Sequence, residues 1–267
     1  MSKIKCRLIR EERLFKDVYT AEIKVIDGFL PQTVGVIKKI QYKDDLFQIP
    51  IRYVETCMNK GTYRLFFHNS TGRENDYLLL MGDFQNQLIE LEVSDYSLFQ
   101  LQSNPKKVLL FIDELAIFES LAIIHSLSLN KIETYLYIKT DRKQEETISY
   151  LQHLLPNRIK CVSSFSYQEV SPILDKQVMG TKLFISGMWP MIRKVKEIAY
   201  AAGFTDEEIQ YKGIGRKNEK IFCVKCYNLN RKKNEYETTC ENCNTILDVS
   251  THFSRRLDAY LGYIKIV

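Results

Sequence analysis

The chain has 267 residues, 45% of them hydrophobic and 27% charged, and 38 basic against 33 acidic side chains leave a formal net charge of +5. That balance belongs to a folded globular protein with room for two or three packed units, and it excludes a disordered or fibrous chain. No apolar run reaches the roughly 18 to 20 residues that span a bilayer, and the start, MSKIKCRLIREERLF, lacks an apolar secretion segment, so a cytoplasmic protein with no membrane partner is expected.

The first stretch, 1–104, reads as strands. Segments 18–26, 62–67 and 89–93 are rich in β-branched and aromatic residues with partial alternation, and turn clusters such as Asn69-Ser70-Thr71-Gly72 and Met81-Gly82-Asp83 separate them. Period-two segments of this kind predict an antiparallel sheet or small barrel. After Asn104-Pro105 the rhythm changes. Val108-Leu109-Leu110-Phe111-Ile112 is a short, continuous apolar run of the kind buried on both faces of a parallel sheet. A helix over 115–128 follows, then strand 134–138, helix 144–155, strand 158–162, a short helix over 166–174, strand 181–186, a helix over 190–202 and a last strand near 209–212. This alternation predicts an open α/β domain over 105–215 with helices on both faces. Met191, Ile192, Val195, Ile198, Ala199 and Ala202 recur at helical spacing between Pro190 and Gly203, which marks one face of the last helix as core.

The third stretch, 216–267, carries the sharpest motif. Cys223-Val-Lys-Cys226 and Cys240-Glu-Asn-Cys243 are separated by thirteen residues. Each C-x-x-C turn brings two sulfurs to one point, and two such turns complete a tetrahedron, as in a zinc ribbon or a rubredoxin-like ribbon. With four of the seven cysteines so paired in a chain without an export signal, metal is expected over disulfides. Zn²⁺ is the expected ion, with iron in the same four sulfurs as the alternative; four protein thiolates leave no open position for a catalytic zinc. A hairpin turn is predicted at Asn230-Arg231-Lys232-Lys233-Asn234 and a further strand at Ile246-Leu247-Asp248-Val249. Cys6, Cys57 and Cys161 stand singly among apolar neighbours and read as buried small hydrophobes. His252, Arg255 and Arg256 follow the last cysteine and are candidates to contact a ligand sulfur or an anionic partner.

Two resemblances rest on these residues. The first two stretches together resemble the ferredoxin–NADP reductase superfamily, in which a flavin-binding antiparallel barrel precedes a nicotinamide-nucleotide-binding α/β domain. Ser186-Gly187-Met188-Trp189-Pro190-Met191 is similar to the superfamily's C-G-P-x-P-M segment, with Ser186 where Cys is usual. The resemblance implies that Ser186, Gly187 and Met191 lie near a nicotinamide, and that Arg52 and Tyr53 are the residues to hold a flavin. The sequence departs from the pattern after the first α/β strand, where Ile112 is followed by Asp113-Glu114-Leu115-Ala116 with no glycine; close approach of a pyrophosphate to backbone amides needs those glycines, and two carboxylates repel it. The cysteine pairs with His252-Phe253-Ser254-Arg255-Arg256 and Ala259-Tyr260-x-Gly262 resemble the tail of the DmmA-like family of dimethylamine monooxygenase components. That resemblance implies a component of a multi-subunit bacterial oxidative N-demethylase whose partners are the other oxygenase subunits.

Three functions compete on this reading. The first is an accessory or electron-transfer subunit of such a monooxygenase, its ribbon metal used for docking or electron relay. The second is a self-sufficient flavin- and NAD(P)H-dependent reductase, which needs the missing glycine turn. The third is a zinc-ribbon nucleic-acid-binding protein, which the basic residues around the ribbon favour and the modest net charge opposes. No triad, paired-carboxylate site or phosphate-binding loop is visible, so independent catalysis is not expected.

Overall fold

A computed structural model of the protein describes residues 4–15, 17–30, 34–42, 45–47, 51–56, 61–68, 88–97, 99–100, 105–140, 145–234, 236–254 and 256–265. The chain divides into two compact units, Met1–Ile214 and Gly215–Val267. Among the described residues no helix is long and apolar enough to cross a membrane.

The first unit begins with β1 (Ile4–Phe15), β2 (Val18–Asp27), β3 (Val34–Tyr42), β4 (Asp45–Phe47), β5 (Ile51–Glu55), β6 (Thr62–His68) and β7 (Leu88–Ser97). They pair in the order β4-β3-β5-β6-β2-β1-β7, and β3 also pairs with β7, which closes an antiparallel barrel with β4 as an appendage. Inward side chains at every second position fill it: Ile4, Cys6, Ile23, Ile37, Ile51, Tyr53, Leu65 and Leu91 share one cluster. A Cβ built on Gly35 would lie 2.4 Å from the Tyr53 hydroxyl oxygen, so only glycine leaves room there for the buried ring.

The α/β half follows with β8 (Lys107–Asp113), a 3-10 turn over Glu114–Ala116, α1 (Ile117–Leu129), β9 (Glu133–Lys139), α2 (Glu145–Leu154), β10 (Ile159–Val162), α3 (Tyr167–Leu174), β11 (Thr181–Met188), α4 (Trp189–Ala201) and β12 (Ile209–Ile214). The strands form one parallel sheet in the order β10-β9-β8-β11-β12. The apolar run of β8 is buried throughout because helices cover both faces of the sheet: α1 and α2 pack on one, α3 and α4 on the other. Strand order reverses between β8 and β11, and the ends of those strands flank the crevice where an open α/β sheet takes its ligands.

α1 is buried on nearly all sides because it serves two layers. Its Ile117, Leu121 and Ile124 join Val108, Leu110 and Ile112 of the sheet, and Val34, Val54 and Phe66 of the barrel, in a single core. The barrel and the α/β sheet are thus welded through one helix. Cys6 lies in the barrel core as expected, whereas Cys161 is exposed, because β10 is the edge strand of its sheet; Cys57 is outside the described residues.

His125, near the middle of α1, is buried against Phe66 with ring centroids 4.8 Å apart, and its Nε2 lies 2.6 Å from the Tyr150 hydroxyl. Burial, with the Arg64 charge as a smaller contribution, drives its pKa down to about 3. The folded chain therefore keeps this imidazole neutral at pH values where the unfolded chain protonates it. Stability is intact above the unfolded value near 6.5 and falls as pH drops below it, by up to about 1.4 kcal/mol per unit. Thermal melts from pH 7 to 4 are expected to show a shallower acid decline in His125→Gln than in the parent; parallel declines would contradict this assignment.

Candidate functional site

The second unit is a five-stranded ribbon built from β13 (Lys220–Cys223), β14 (Leu229–Arg231), β15 (Glu237–Thr239), β16 (Ile246–Ser254) and β17 (Ala259–Ile264), in the order β14-β13-β17-β16-β15. The predicted turn at 230–234 is displaced, since Asn230 and Arg231 belong to β14 and pair with β13. The true reversal between β13 and β14 is the first cysteine turn itself.

The two cysteine turns are built alike. In the first, the Cys223 amide donates to the Asn228 carbonyl and the Tyr227 amide to the Cys223 carbonyl; in the second, Cys240 donates to Thr245 and Asn244 to Cys240. Tyr227 and Asn244 hold the same left-handed position, with φ of 62° and 54°. The turns bring together the Sγ atoms of Cys223, Cys226, Cys240 and Cys243, all within 4.8 Å of one another. Cys226 to Cys240 is 3.5 Å and Cys223 to Cys243 is 3.8 Å. Four sulfurs at about 2.3 Å from a central ion lie about 3.8 Å apart, so the cluster has the dimensions of a closed tetrahedral site.

Its electrostatics fit the same reading. The hydroxyl of Thr245, 3.3 Å from Cys243 Sγ, and the Thr245 amide hold the Cys243 thiol down to about 6. Burial pushes Cys240 up, but the amides of Cys243 and Asn242 outweigh it and its thiol titrates below the ordinary value. Burial wins at Cys223, whose thiol rises to about 11 against the amides of Cys226 and Lys225. Amide donors can thus stabilise part of the cluster as thiolate. Four thiolates together repel one another, and a central cation is what relieves that repulsion. Among the described residues of the ribbon the fully buried hydrophobic side chains are Ile221, Leu247, Ala259 and two of the cysteines, Cys223 and Cys240. A core this small needs a staple.

Asn230 ties the two turns together. It is buried, its Nδ2 donates to the carbonyls of Ile221 and Asn228, and its Oδ1 accepts from the Glu241 amide at 2.8 Å. Lys225 adds a second link at 2.9 Å to the Thr245 hydroxyl. The tail residues serve the ribbon's packing. Phe253 meets Tyr260 edge to face at 5.2 Å, Lys217 lies over the Phe253 ring and Lys232 over the Tyr260 ring, and a Cβ on Gly262 would lie 2.7 Å from Ile221 Cγ2. His252 is exposed in the bulge where β16 gains residues against β17, and Arg256 is exposed in the following turn; Arg255 is outside the described residues. Much of the basic texture is answered locally, by Lys217 with Asp258, Lys232 with Glu219 and Lys233 with Glu241.

Arg52 and Tyr53, the residues expected to hold a flavin, lie on opposite faces of β5. Strand alternation sends Tyr53 into the barrel interior and Arg52 to the opposite face, where it forms an ion pair with Glu119 of α1 and stacks over Phe118. At the sheet's crevice, Ser186 is fully buried at the end of β11, and its hydroxyl has no hydrogen-bond partner among the described residues. A Cβ on the neighbouring Gly187 would lie 2.7 Å from Asp113 Cβ and 3.1 Å from the Met191 sulfur, so this glycine lets β11 pass close beside β8. Asp113 itself accepts from the Leu115 amide at 3.3 Å, and Glu114 accepts from the Thr140 hydroxyl at 2.7 Å. The amide end of the first helical turn, where a pyrophosphate binds in sheets of this type, already has a carboxylate on it. These residues do not fit a dinucleotide phosphate.

The architecture is that of the ferredoxin reductases. Phthalate dioxygenase reductase superposes with a TM-score of 0.56 over 86% of this chain and 76% of its own, at 12% identity. A ferredoxin NADP+ reductase from Neisseria gonorrhoeae, solved with bound FAD and NADP, gives 0.52 over 79% of this chain and 98% of its own, at 10% identity. Identities this low establish a common fold only. Residues 220–263 match the family described as "Dimethylamine monooxygenase subunit DmmA-like, C-terminal domain". The chain is also 31% identical over 93 residues to the heme-dependent oxidative N-demethylase delta subunit of Ectopseudomonas mendocina (strain ymp); the match covers 35% of this chain and 53% of that protein, about half its length. The chain is thus DmmA-like in its ribbon and ferredoxin-reductase-like in its body.

The sequence places Asn230 in a turn, but the bond from the Glu241 amide makes it a positioning residue for the second cysteine pair. Asn230→Ala leaves that amide unsatisfied, at an expected cost of about 1–3 kcal/mol to the ribbon. Hydrogen exchange at Glu241 and its neighbours is expected to accelerate while the β8–β12 sheet keeps its protection; unchanged exchange at Glu241 would show the bond to be immaterial.

Proposed function

We propose that this protein is an accessory subunit of a multi-component oxygenase system that removes methyl groups from amines oxidatively, and that its ribbon is a closed structural Zn²⁺ site used to dock the oxygenase partner. The observation that carries the reading is the convergence of Cys223, Cys226, Cys240 and Cys243 within 4.8 Å, inside a segment that matches the DmmA-like C-terminal domain. The named activity of the delta-subunit relative and the reductase fold of the body point to the same setting, an electron-transfer assembly around an oxygenase. A closed four-thiolate zinc has no exchangeable position and no redox change, so its contribution is to fix a surface.

Iron in the same four sulfurs would make the ribbon a one-electron relay, and the reductase-like body favours keeping that reading second. The self-sufficient reductase loses support from the carboxylates of Asp113 and Glu114 at the phosphate position. The nucleic-acid reading loses support from the acidic partners of Lys217, Lys232 and Lys233.

The test pairs metal loss with partner capture. Treating the full chain with a chelator, or replacing Cys226 and Cys243 with Ser, is expected to abolish exchange protection across 220–264 and leave the first unit folded. The intact chain should capture the other subunits of an amine-oxidising oxygenase when mixed with them, and the cysteine variant should not. A ribbon that stays protected without metal would overturn the zinc assignment, and capture unaffected by the cysteine changes would overturn the docking role.

A further inference from the structure

The body offers two positions suited to an anionic group, and one of the chain's own carboxylates lies at each. The first is Arg52 on β5, whose side chain is only 9% exposed. A guanidinium buried that far needs an opposite charge beside it. Glu119 supplies it from the first turn of α1, where a carboxylate is also favoured by the helix dipole. The guanidinium carbon lies 5.6 Å from the centre of the Phe118 ring, and the His68 ring is tilted against Phe118 with centroids 5.1 Å apart. The second position is the amide end of the turn after β8, capped by Asp113, which is itself 3.9 Å from Lys139. Around Arg52, the face of β5 and β6 is covered: Val54 and Phe66 are buried in one cluster with Ile117 and Leu121 of α1.

We infer that the reductase-like body is a cofactor-free scaffold in which Glu119 stands in for the anionic group of a flavin at Arg52, as Asp113 does for a pyrophosphate at the β8 turn. The internal pair does what a bound phosphate would do for Arg52, and it also joins a barrel strand to a helix of the sheet across 67 residues of chain. The body then holds its two halves in one fixed arrangement without a ligand. This is independent of which metal the ribbon holds.

The experiment uses the full chain and inorganic phosphate, FMN and NADPH as probes. The parent protein is expected to leave FMN and NADPH fluorescence unchanged and its Tm insensitive to phosphate. Glu119→Ala should lower Tm by about 3–10 °C. Millimolar phosphate should restore part of that loss, and the restoration should vanish in the Arg52→Met, Glu119→Ala double variant. If Glu119→Ala does not fold, Glu119→Gln keeps the shape without the charge and is expected to give the same phosphate response. Saturable FMN quenching by the parent that Arg52→Met removes would overturn the inference. So would a folded Glu119 variant with no phosphate response.

Discussion

A charge taken out of water has to be answered by an opposite charge or by hydrogen bonds, and this constraint organises both units of the molecule. In the body it is met from within. Arg52 is answered by Glu119, and Asp113 by the Leu115 amide with Lys139 nearby. The first contact falls at the junction of barrel and helix, and the second at the crevice of the sheet, where open α/β sheets take their ligands. In the ribbon the constraint is not met from within. Backbone amides and Thr245 favour thiolates at Cys240 and Cys243, but burial of Cys223 works against it, and a cation is what brings the four sulfurs into balance.

The division of labour follows from packing. α1 is inside the molecule on nearly every side, so the barrel cannot move against the sheet without exposing Phe66, Val54 and Leu121 together. The Arg52–Glu119 ion pair adds a polar tie between the barrel and that helix. Two of the five fully buried hydrophobic side chains among the ribbon's described residues are cysteines, so an ion held by them would couple its binding to the ribbon's folding.

Local patterns in the sequence carried a long way. The α/β rhythm after Pro105 was legible because β8 is buried on both faces and therefore continuously apolar, and the helix over 189–201 because only one of its faces is buried. β1 was not legible, since its barrel-facing Ile4, Cys6 and Leu8 alternate with charges and the run Arg10-Glu11-Glu12-Arg13 hides the strand that pairs with β2. Closure of the barrel by β3 and β7 and the Arg52–Glu119 pair depend on residues far apart in the chain, which no local period encodes. The spacing of the four cysteines fixed their meeting, because each pair closes within one turn. It did not reveal Asn230, whose composition suggested a turn and whose buried amide instead bridges the two pairs.

A closed zinc ribbon on a body without flavin is the central proposal. One sample of purified full-length protein, examined by visible spectroscopy and by metal analysis together, tests it most directly. One equivalent of zinc per chain in a colourless protein is the predicted result. Flavin bands, or iron in place of zinc with the absorption of an iron–thiolate centre, would contradict it.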